Sequence, residues 1–216
     1  MLRRTLCRTL KMQRTPGDEF NRHLSTALPV HVRYFADADR PAVAACQIES
    51  WTDTYSSVAS AAYMDSLDDT VNNRWRDIVF GPHEFVLVAS EPPEPHACNA
   101  PLGGFITVLD RKSHAFVDNM HVALAHRRRG VGRALMAAAA RQLQRHGYDR
   151  MRLNVLENND RARAFYGSLG GVEVARPVMN FVGSQLQAIV LEWSRRSLHN
   201  LAGLGHVTMG RSIPLP

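Results

Sequence analysis

The chain has 216 residues, of which 45% are apolar and 21% charged, a composition typical of one globular domain with a full core. No apolar run approaches the roughly 20 residues that span a bilayer, and the three cysteines and ten histidines show no metal-ligand spacing. The sequence therefore predicts no membrane partner, no structural metal and a reducing, cytoplasmic location.

The net charge of +6 is concentrated at the two ends of the chain. Residues 1–30 carry a net charge of +4 and residues 195–216 a net charge of +3, which leaves −1 for residues 31–194. A nucleic-acid-binding surface needs a broader basic patch than this, with aromatic residues among the basic ones. We therefore expect no nucleic-acid partner.

Both ends are predicted to lie outside the folded domain, which we place at residues 31–194. Residues 1–30 are arginine-rich and low in acidic residues, and they show no hydrophobic periodicity. They are interpreted as a basic, disordered leader, as a targeting peptide, or as the result of a start codon assigned too early, with Met12 as the true start. Residues 195–216 are glycine-rich and are predicted to be an irregular tail.

Hydrophobic periodicity predicts a strand, two helices and a second strand in the first 90 residues. Residues 31–35 alternate between apolar and polar side chains and form the first predicted strand. Pro41 suits the first turn of a helix that runs to about Tyr55, and a second helix is predicted over residues 64–79. Residues 84–90 are nearly all apolar and predict a buried strand.

The next segment predicts two strands, a helix and a further strand. The prolines of residues 91–101 indicate a loop. Strands follow at Leu102–Asp110 and Ala115–Val122, and an alanine-rich helix ends at Gly147. Met151–Leu156 is the strand after that helix.

The last predicted elements are a short helix and a hairpin. Asn159 or Asp160 caps the helix, and two glycines at 170 and 171 stop it. Residues 171–182 and Ser184–Trp193 are predicted to pair as a closing hairpin, with its turn near Gly183.

This order of elements predicts a mixed α/β domain, with a central mixed sheet flanked by helices. A helix that connects Ala115–Val122 to Met151–Leu156 implies a parallel crossover between these strands. The two strands are then expected to splay apart and to open a cleft beside the loop between them.

That loop carries the most informative motif of the chain, in which three arginines precede Gly130-Val131-Gly132 at the start of the alanine-rich helix. Backbone N–H groups at the positive end of a helix form an anion site, and arginines add charge-assisted hydrogen bonds to phosphates. The motif is neither Walker A, which needs Lys-Ser or Lys-Thr, nor a dinucleotide fingerprint, which needs a third glycine. The loop therefore predicts a pyrophosphate site of another kind.

Together with two other segments, this loop resembles the GNAT superfamily of N-acetyltransferases over residues 31–193. The loop is similar to the family's Q/R-x-x-G-x-G/A motif, and Met120-His121-Val122 matches the strand end before it. Residues 153–166 are similar to the family's strand, N-x-x-A and F-Y helix. Residues 49–55 and Arg74-Trp75 resemble a bacterial subgroup of small GNAT proteins.

The resemblance implies that the chain binds acetyl-coenzyme A. Backbone groups of the loop would hold its pyrophosphate, the exposed backbone of a strand would pair with its pantetheine arm, and an asparagine would hydrogen-bond that arm. The implied cofactor-binding residues are Met120, Val122, Arg127, Arg128, Arg129, Gly130, Val131, Gly132, Arg133 and Asn159.

The resemblance also implies catalytic roles. Tyr166 would donate a proton to the leaving thiolate, and the Met120 N–H would hold the oxyanion. Glu49 and His121 are the candidate bases. Asp118, which is expected to share a strand face with Met120, is a further candidate. A chain of water molecules is an alternative to all three.

The predicted function is acetyl-CoA-dependent N-acetylation of a primary amine on a small molecule or a peptide. Trp51, Tyr55 and Trp75 are candidates for the wall of the acceptor pocket. The alternative is a non-catalytic acyl-CoA-binding or sensing domain on the same fold. An exposed strand edge or the closing hairpin is compatible with a homodimer, as in many relatives.

Overall fold

The computed structural model describes residues 30–57, 59–90, 102–204 and 208–209. The strands in these ranges are β1 His31–Tyr34, β2 Phe85–Ser90, β3 Leu102–Asp110, β4 Ala115–Val122, β5 Met151–Leu156, β6 Val172–Ala175, β7 Val178–Phe181, β8 Ser184–Trp193 and β9 Thr208–Met209. The α-helices are α1 Arg40–Tyr55, α2 Ala61–Asp65, α3 Leu67–Asp77, α4 Val131–Arg145, α5 Asp160–Ser168 and α6 Arg195–Ala202.

The strands form a mixed sheet in the order β6-β8-β5-β4-β3-β2-β1-β9, and β7 pairs with β8. Neighbouring strands are antiparallel, except that β4 and β5 are parallel, as are β1 and β9. This arrangement confirms the predicted mixed α/β fold and the parallel crossover through α4.

Helices cover both faces of the sheet. On one face, α4, α5 and α6 bury Leu135, Leu143 and Leu201 against the sheet. On the other face, α1 and α3 bury Val43 and Trp75 against it. The run of small alanines from 137 to 140 is completely buried, which lets α4 lie close to the strands beneath it.

The helix predicted over residues 64–79 is two helices in the structure. Helix α2 starts after Ser60, whose hydroxyl accepts a hydrogen bond from the Tyr63 N–H at 3.2 Å. Ser66 ends α2 by donating from its hydroxyl to the Tyr63 carbonyl at 3.1 Å, and α3 begins at the next residue. Local bonds from serine to the backbone compete with a continuous helix, which explains the break.

The strand predicted over residues 171–182 is also interrupted, and forms β6 and β7. Pro177 lies between them and has no N–H to donate, although its carbonyl accepts from Ala188 at 2.9 Å. The turn after β7 has positive φ angles at Val182 and Gly183, which confirms the predicted turn position.

The irregular tail predicted for residues 195–216 is wrong for residues 195–202, which form α6. The Ser194 hydroxyl caps this helix by accepting from the Ser197 N–H at 3.4 Å, and Leu198 is buried. Arg141 of α4 donates to the Ala202 carbonyl at 2.6 Å and holds the end of α6. The glycines of the segment begin only at position 203, beyond the helix, and misled the sequence interpretation.

The predictions for residues 1–29, for the loop at 91–101 and for residues 205–207 and 210–216 fall outside the described residues. Within the described residues, no helix is long and apolar enough to cross a membrane.

Candidate active site

The parallel strands β4 and β5 are paired only where they begin. Their register joins Ala115 to Met151 and Phe116 to Arg152, and no pairing follows. Beyond this point the strands diverge, as predicted, and a cavity of about 580 Å³ lies between them, bordered by α1, the glycine loop and α5. This volume is within the range of small-molecule sites.

The end of β4 presents unpaired backbone groups to this cavity. Ala123 donates its N–H to the Gly103 carbonyl at 3.1 Å, and the His121 carbonyl faces Gly104, so the backbone groups of both residues are directed at β3. Backbone polar groups alternate along a strand, so those of Met120 and Val122 are directed at the opposite edge, which β5 has left. The structure therefore brings these two predicted residues to the cavity.

A β-bulge at Asp118 sets which side chains of β4 face which helices. Thr107 pairs with Asn119 and Val108 pairs with Val117, which leaves Asp118 as the extra residue. The carboxylate of Asp118 forms an ion pair with Arg74 of α3. The predicted common face of Asp118 and Met120 is therefore wrong, because Met120 packs on the opposite side, against the core beneath α4.

The glycine loop provides an open helix N-terminus at one side of the cavity. The first bond of α4 runs from the Ala134 N–H to the Gly130 carbonyl at 2.9 Å, so the N–H groups of Val131, Gly132 and Arg133 have no partner within the helix. Gly130 has a φ of 87°, and a Cβ built on it would meet no atom within 4 Å. The N-terminus of α4 is therefore accessible to an anion.

The four arginines that line the cavity have different surroundings. The Arg127 side chain forms an ion pair with Asp53 of α1, and its Nε lies 3.3 Å from the Val122 carbonyl oxygen. Arg128, Arg133 and Arg161 line the cavity as well, whereas Arg129 lies in the same loop without lining it. Among the described residues that line the cavity, Asp53 is the only acid, so the cavity is strongly cationic.

Tyr166 lies on α5 and lines the cavity. Its ring packs edge to face against Phe165 at 5.1 Å and Trp193 at 6.1 Å, and only 9% of the residue is exposed. Burial, and secondarily the neighbouring Tyr55, raise the pKa of the Tyr166 phenol. The phenol therefore keeps its proton at neutral pH.

Asn159 caps α5, because its side-chain oxygen accepts from the Ala162 N–H at 3.1 Å. Its side chain also hydrogen-bonds Tyr55, which lowers the pKa of the Tyr55 phenol. Burial has a larger and opposite effect, so the pKa of Tyr55 is raised overall. Asn159, Tyr55 and Tyr166 all line the cavity. The structure thus brings two phenols and an amide together in the lining of one cavity.

The two candidate bases have surroundings that do not favour proton abstraction. His121 lines the cavity but is only 9% exposed, and its ring lies 5.4 Å from that of Phe105. Burial, followed by the charges of Arg127 and Arg74, lowers the pKa of His121 to about 3, so its imidazole is neutral and weakly basic. Glu49 is exposed and outside the cavity lining, and its carboxylate accepts from the Leu124 N–H at 3.0 Å.

Of the three aromatic residues predicted for the acceptor pocket, the structure brings only Tyr55 to the cavity. Tyr55 lines the cavity, but Trp75 is buried in the core, where its Nε1–H donates to Gln47 at 2.7 Å. Trp51 does not line the cavity, although its ring contacts that of Tyr55 at 4.9 Å. Large aromatic residues fill cores more often than they contact ligands, which explains the error at Trp75.

Sequence reasoning missed other cavity residues, among them Asp53, Asn154 and Arg161. Asp53 lies three residues after Ser50, which also lines the cavity, on the face of α1 that both share. Arg161 lies inside the quoted N-x-x-A segment. No described group of three or more histidine, cysteine or acidic side chains is arranged to hold a metal ion.

Comparison with known proteins agrees with this geometry. The sequence model of the acetyltransferase (GNAT) family matches residues 47–170, which include the second half of α1, the glycine loop and α5. Among curated proteins, none matches the sequence.

Solved structures with the same fold include three N-acetyltransferases. The PaiA N-acetyltransferase from Thermoplasma acidophilum, in complex with coenzyme A, has a TM-score of 0.56 and 18% identity over 76% of this chain and 98% of its own. The ribosomal-protein-S18-alanine N-acetyltransferase from Escherichia coli has a TM-score of 0.54 and 20% identity over 76% and 93%. A mutant of the spermidine N-acetyltransferase SpeG from Vibrio cholerae has a TM-score of 0.55 and 16% identity over 80% and 97%. At these identities the likeness shows the fold alone.

Proposed function

Because this chain belongs to the acetyltransferase (GNAT) family, we propose that it transfers the acetyl group of acetyl-CoA to a primary amine. The observation that supports this most directly is the cleft between β4 and β5. It joins an unpaired strand edge, an open helix N-terminus and a buried phenol in one cavity.

The residues that surround the cavity fit the chemistry of coenzyme A. The N–H groups of Val131, Gly132 and Arg133 suit a pyrophosphate, with the Arg128 guanidinium on the same side. The backbone groups of Met120 are free to pair with the amides of the pantetheine arm as an added strand would. At Val122 the Arg127 side chain already bonds the carbonyl, so this residue offers mainly its N–H.

Acetyl-CoA supplies the acetyl group as a thioester, whose carbonyl carbon the amine nitrogen attacks while the carbon–sulfur bond breaks. The Met120 N–H is directed at the cleft and would donate to the carbonyl oxygen as negative charge develops on it. The Tyr166 hydroxyl would give its proton to the departing sulfur, because its raised pKa keeps that proton available at neutral pH.

We assign no side chain as the base. The His121 imidazole has a pKa of about 3, and the Glu49 carboxylate bonds a backbone N–H outside the cavity. The amine would instead react as the neutral form already present in solution, and the proton that its nitrogen loses after attack would pass to water.

A second candidate function is acyl-CoA binding without catalysis. The observation that favours it is the absence of a well-placed base among the described residues that line the cavity. Both candidates require the cofactor site, so turnover of an amine, in addition to binding, distinguishes them.

The first test is calorimetric binding of acetyl-CoA to the wild type and to two variants at the glycine loop. Asparagine and aspartate both tolerate a positive φ, and the space beyond Gly130 is open. Gly130→Asp would place a negative charge at the phosphate site, while Gly130→Asn is its neutral control. We expect the aspartate variant to bind at least about tenfold more weakly than the asparagine variant.

Binding by the wild type that is lost selectively in Gly130→Asp supports the cofactor site. Equal affinity of the two variants, or no binding by the folded wild type, would contradict it.

A further inference from the structure

Four aromatic rings from three elements form a continuous cluster beside the cavity, which we call the aromatic wall: Trp51, Tyr55, Tyr63 and Phe181. Trp51 and Phe181 are stacked at 5.2 Å with an angle of 15° between their rings. Tyr55 contacts Phe181 at 5.0 Å, and Trp51 contacts Tyr63 at 5.5 Å. All four residues are only partly buried, so the aromatic wall presents an apolar surface to the solvent.

The aromatic wall adjoins the part of the cavity where an acceptor must approach. Tyr55 belongs to both, and it lines the cavity together with Tyr166. The phosphates of the donor are expected at the N-terminus of α4. An amine that attacks the thioester near Tyr166 would pass Tyr55, the one residue that the aromatic wall shares with the cavity lining.

The charges beside the aromatic wall do not suit a polycation. Asp53 is paired with Arg127, and Asp118 is paired with Arg74. Arg128, Arg133 and Arg161 also line the cavity, where the phosphates of acetyl-CoA would compensate their charge. A substrate with several ammonium groups would therefore find no unpaired carboxylate among the described residues that line the cavity, whereas an aromatic ring would meet an apolar surface.

Resting on the proposed function, we propose that the acceptor is an arylalkylamine, a primary monoamine joined to an aromatic ring by a short chain. The ring would pack on the exposed side of the aromatic wall, and the amine would reach the thioester past Tyr55. Phe181 then determines specificity although it lies outside the catalytic cavity.

The experiment measures release of the coenzyme A thiol from acetyl-CoA with tryptamine, and separately with spermidine, as the acceptor. We expect kcat/KM for tryptamine to exceed that for spermidine at least about tenfold, the worth of one good aromatic contact. Phe181→Leu removes the ring and keeps the apolar bulk. We expect it to raise KM for tryptamine up to about tenfold while kcat and the Kd of acetyl-CoA stay unchanged.

Val178→Ala is the matched control, because Val178 lies on the same strand, is 62% exposed and, three residues before Phe181, is expected on the opposite face of the strand. Equal effects of the two variants on KM would overturn the proposal. Preferential use of spermidine would also overturn the proposal, as would turnover of neither amine by a protein that binds acetyl-CoA. These results would not contradict the cofactor site. Loss of acetyl-CoA binding itself would instead refute the proposed function.

Discussion

Arg127, the first residue of the glycine loop, forms an ion pair with Asp53 on the opposite wall of the cavity. The pair connects α1 to the end of β4, since Arg127 also bonds the Val122 carbonyl at 3.3 Å. Its guanidinium is therefore a structural tie between the two walls, and the phosphate site depends on the residues that follow.

Asp53→Asn is expected to remove this tie and to lower the free energy of unfolding by up to about 1 kcal/mol, since the pair is only partly buried. Urea unfolding at low and high salt measures the change, and the difference from wild type should shrink as salt rises. The exposed pair of Asp77 with Arg76 provides the control, because Asp77→Asn should change nothing measurable. A deficit that is independent of salt would contradict an electrostatic role.

Tyr166→Phe is expected to lower turnover of an accepted amine by about 10²- to 10⁴-fold, the usual contribution of a general acid. Binding of acetyl-CoA should remain, because the ring still packs against Phe165 and Trp193. Steady-state rates measure the loss of turnover, and calorimetry measures whether acetyl-CoA still binds. Tyr148→Phe removes a phenol outside the cavity and should leave the rate unchanged. A rate for Tyr166→Phe near that of the wild type would show that Tyr166 is not the proton donor.

The buried His121 is expected to make the protein less stable in acid. Its pKa is about 3 when folded and 6.5 when unfolded, so only the unfolded state takes up the proton as the pH falls below 6.5. The resulting loss, up to about 2 kcal/mol at pH 5, continues until the pH approaches 3. His121→Leu cannot titrate, so its unfolding free energy should decline less between pH 7 and pH 5. Parallel declines in wild type and variant would show that another group is responsible.

Gly104→Ala is expected to disturb the strand edge that faces the cofactor. A Cβ at this position would lie 2.6 Å from the His121 carbonyl oxygen, a backbone atom that cannot move without shifting β4. We expect a loss of about 1–3 kcal/mol in stability, together with weaker acetyl-CoA binding. In Gly167→Ala the new Cβ meets no atom within 4 Å, so this helical variant should gain up to about 1 kcal/mol. Thermal unfolding compares the two, and a stable Gly104→Ala protein would contradict the close approach.

The parts of the site that depend on local pattern could be predicted from the sequence. Gly130 and Gly132 mark the open start of α4, and Asn159 marks the cap of α5, because each role needs a particular residue type at a particular place in the chain. The parallel pairing of β4 with β5 also followed from the order of the elements, since a helical crossover connects them.

What could not be predicted depends on contacts between distant segments. The bulge at Asp118 reverses the side-chain alternation of β4, and only its pairing with β3 reveals it. The burial of Trp75 beneath α1 depends on how two helices pack, which no spacing within α3 expresses. The partner of Glu49, the Leu124 N–H, is 75 residues away in the chain.

The divergence of β4 from β5 gives the protein a sheet edge in its interior. An edge on the outside of a fold is a template for aggregation, because strands from other molecules can add to it. Here the edge at Met120 and Val122 borders a cavity of about 580 Å³ that lies between α1 and α5. Since helices on both sides limit the room beside this edge, we expect a thin, unbranched chain to add to it more readily than a polypeptide strand with side chains on both faces. The fold is thereby expected to keep this strand edge for a slender ligand and to withhold it from strands of other proteins.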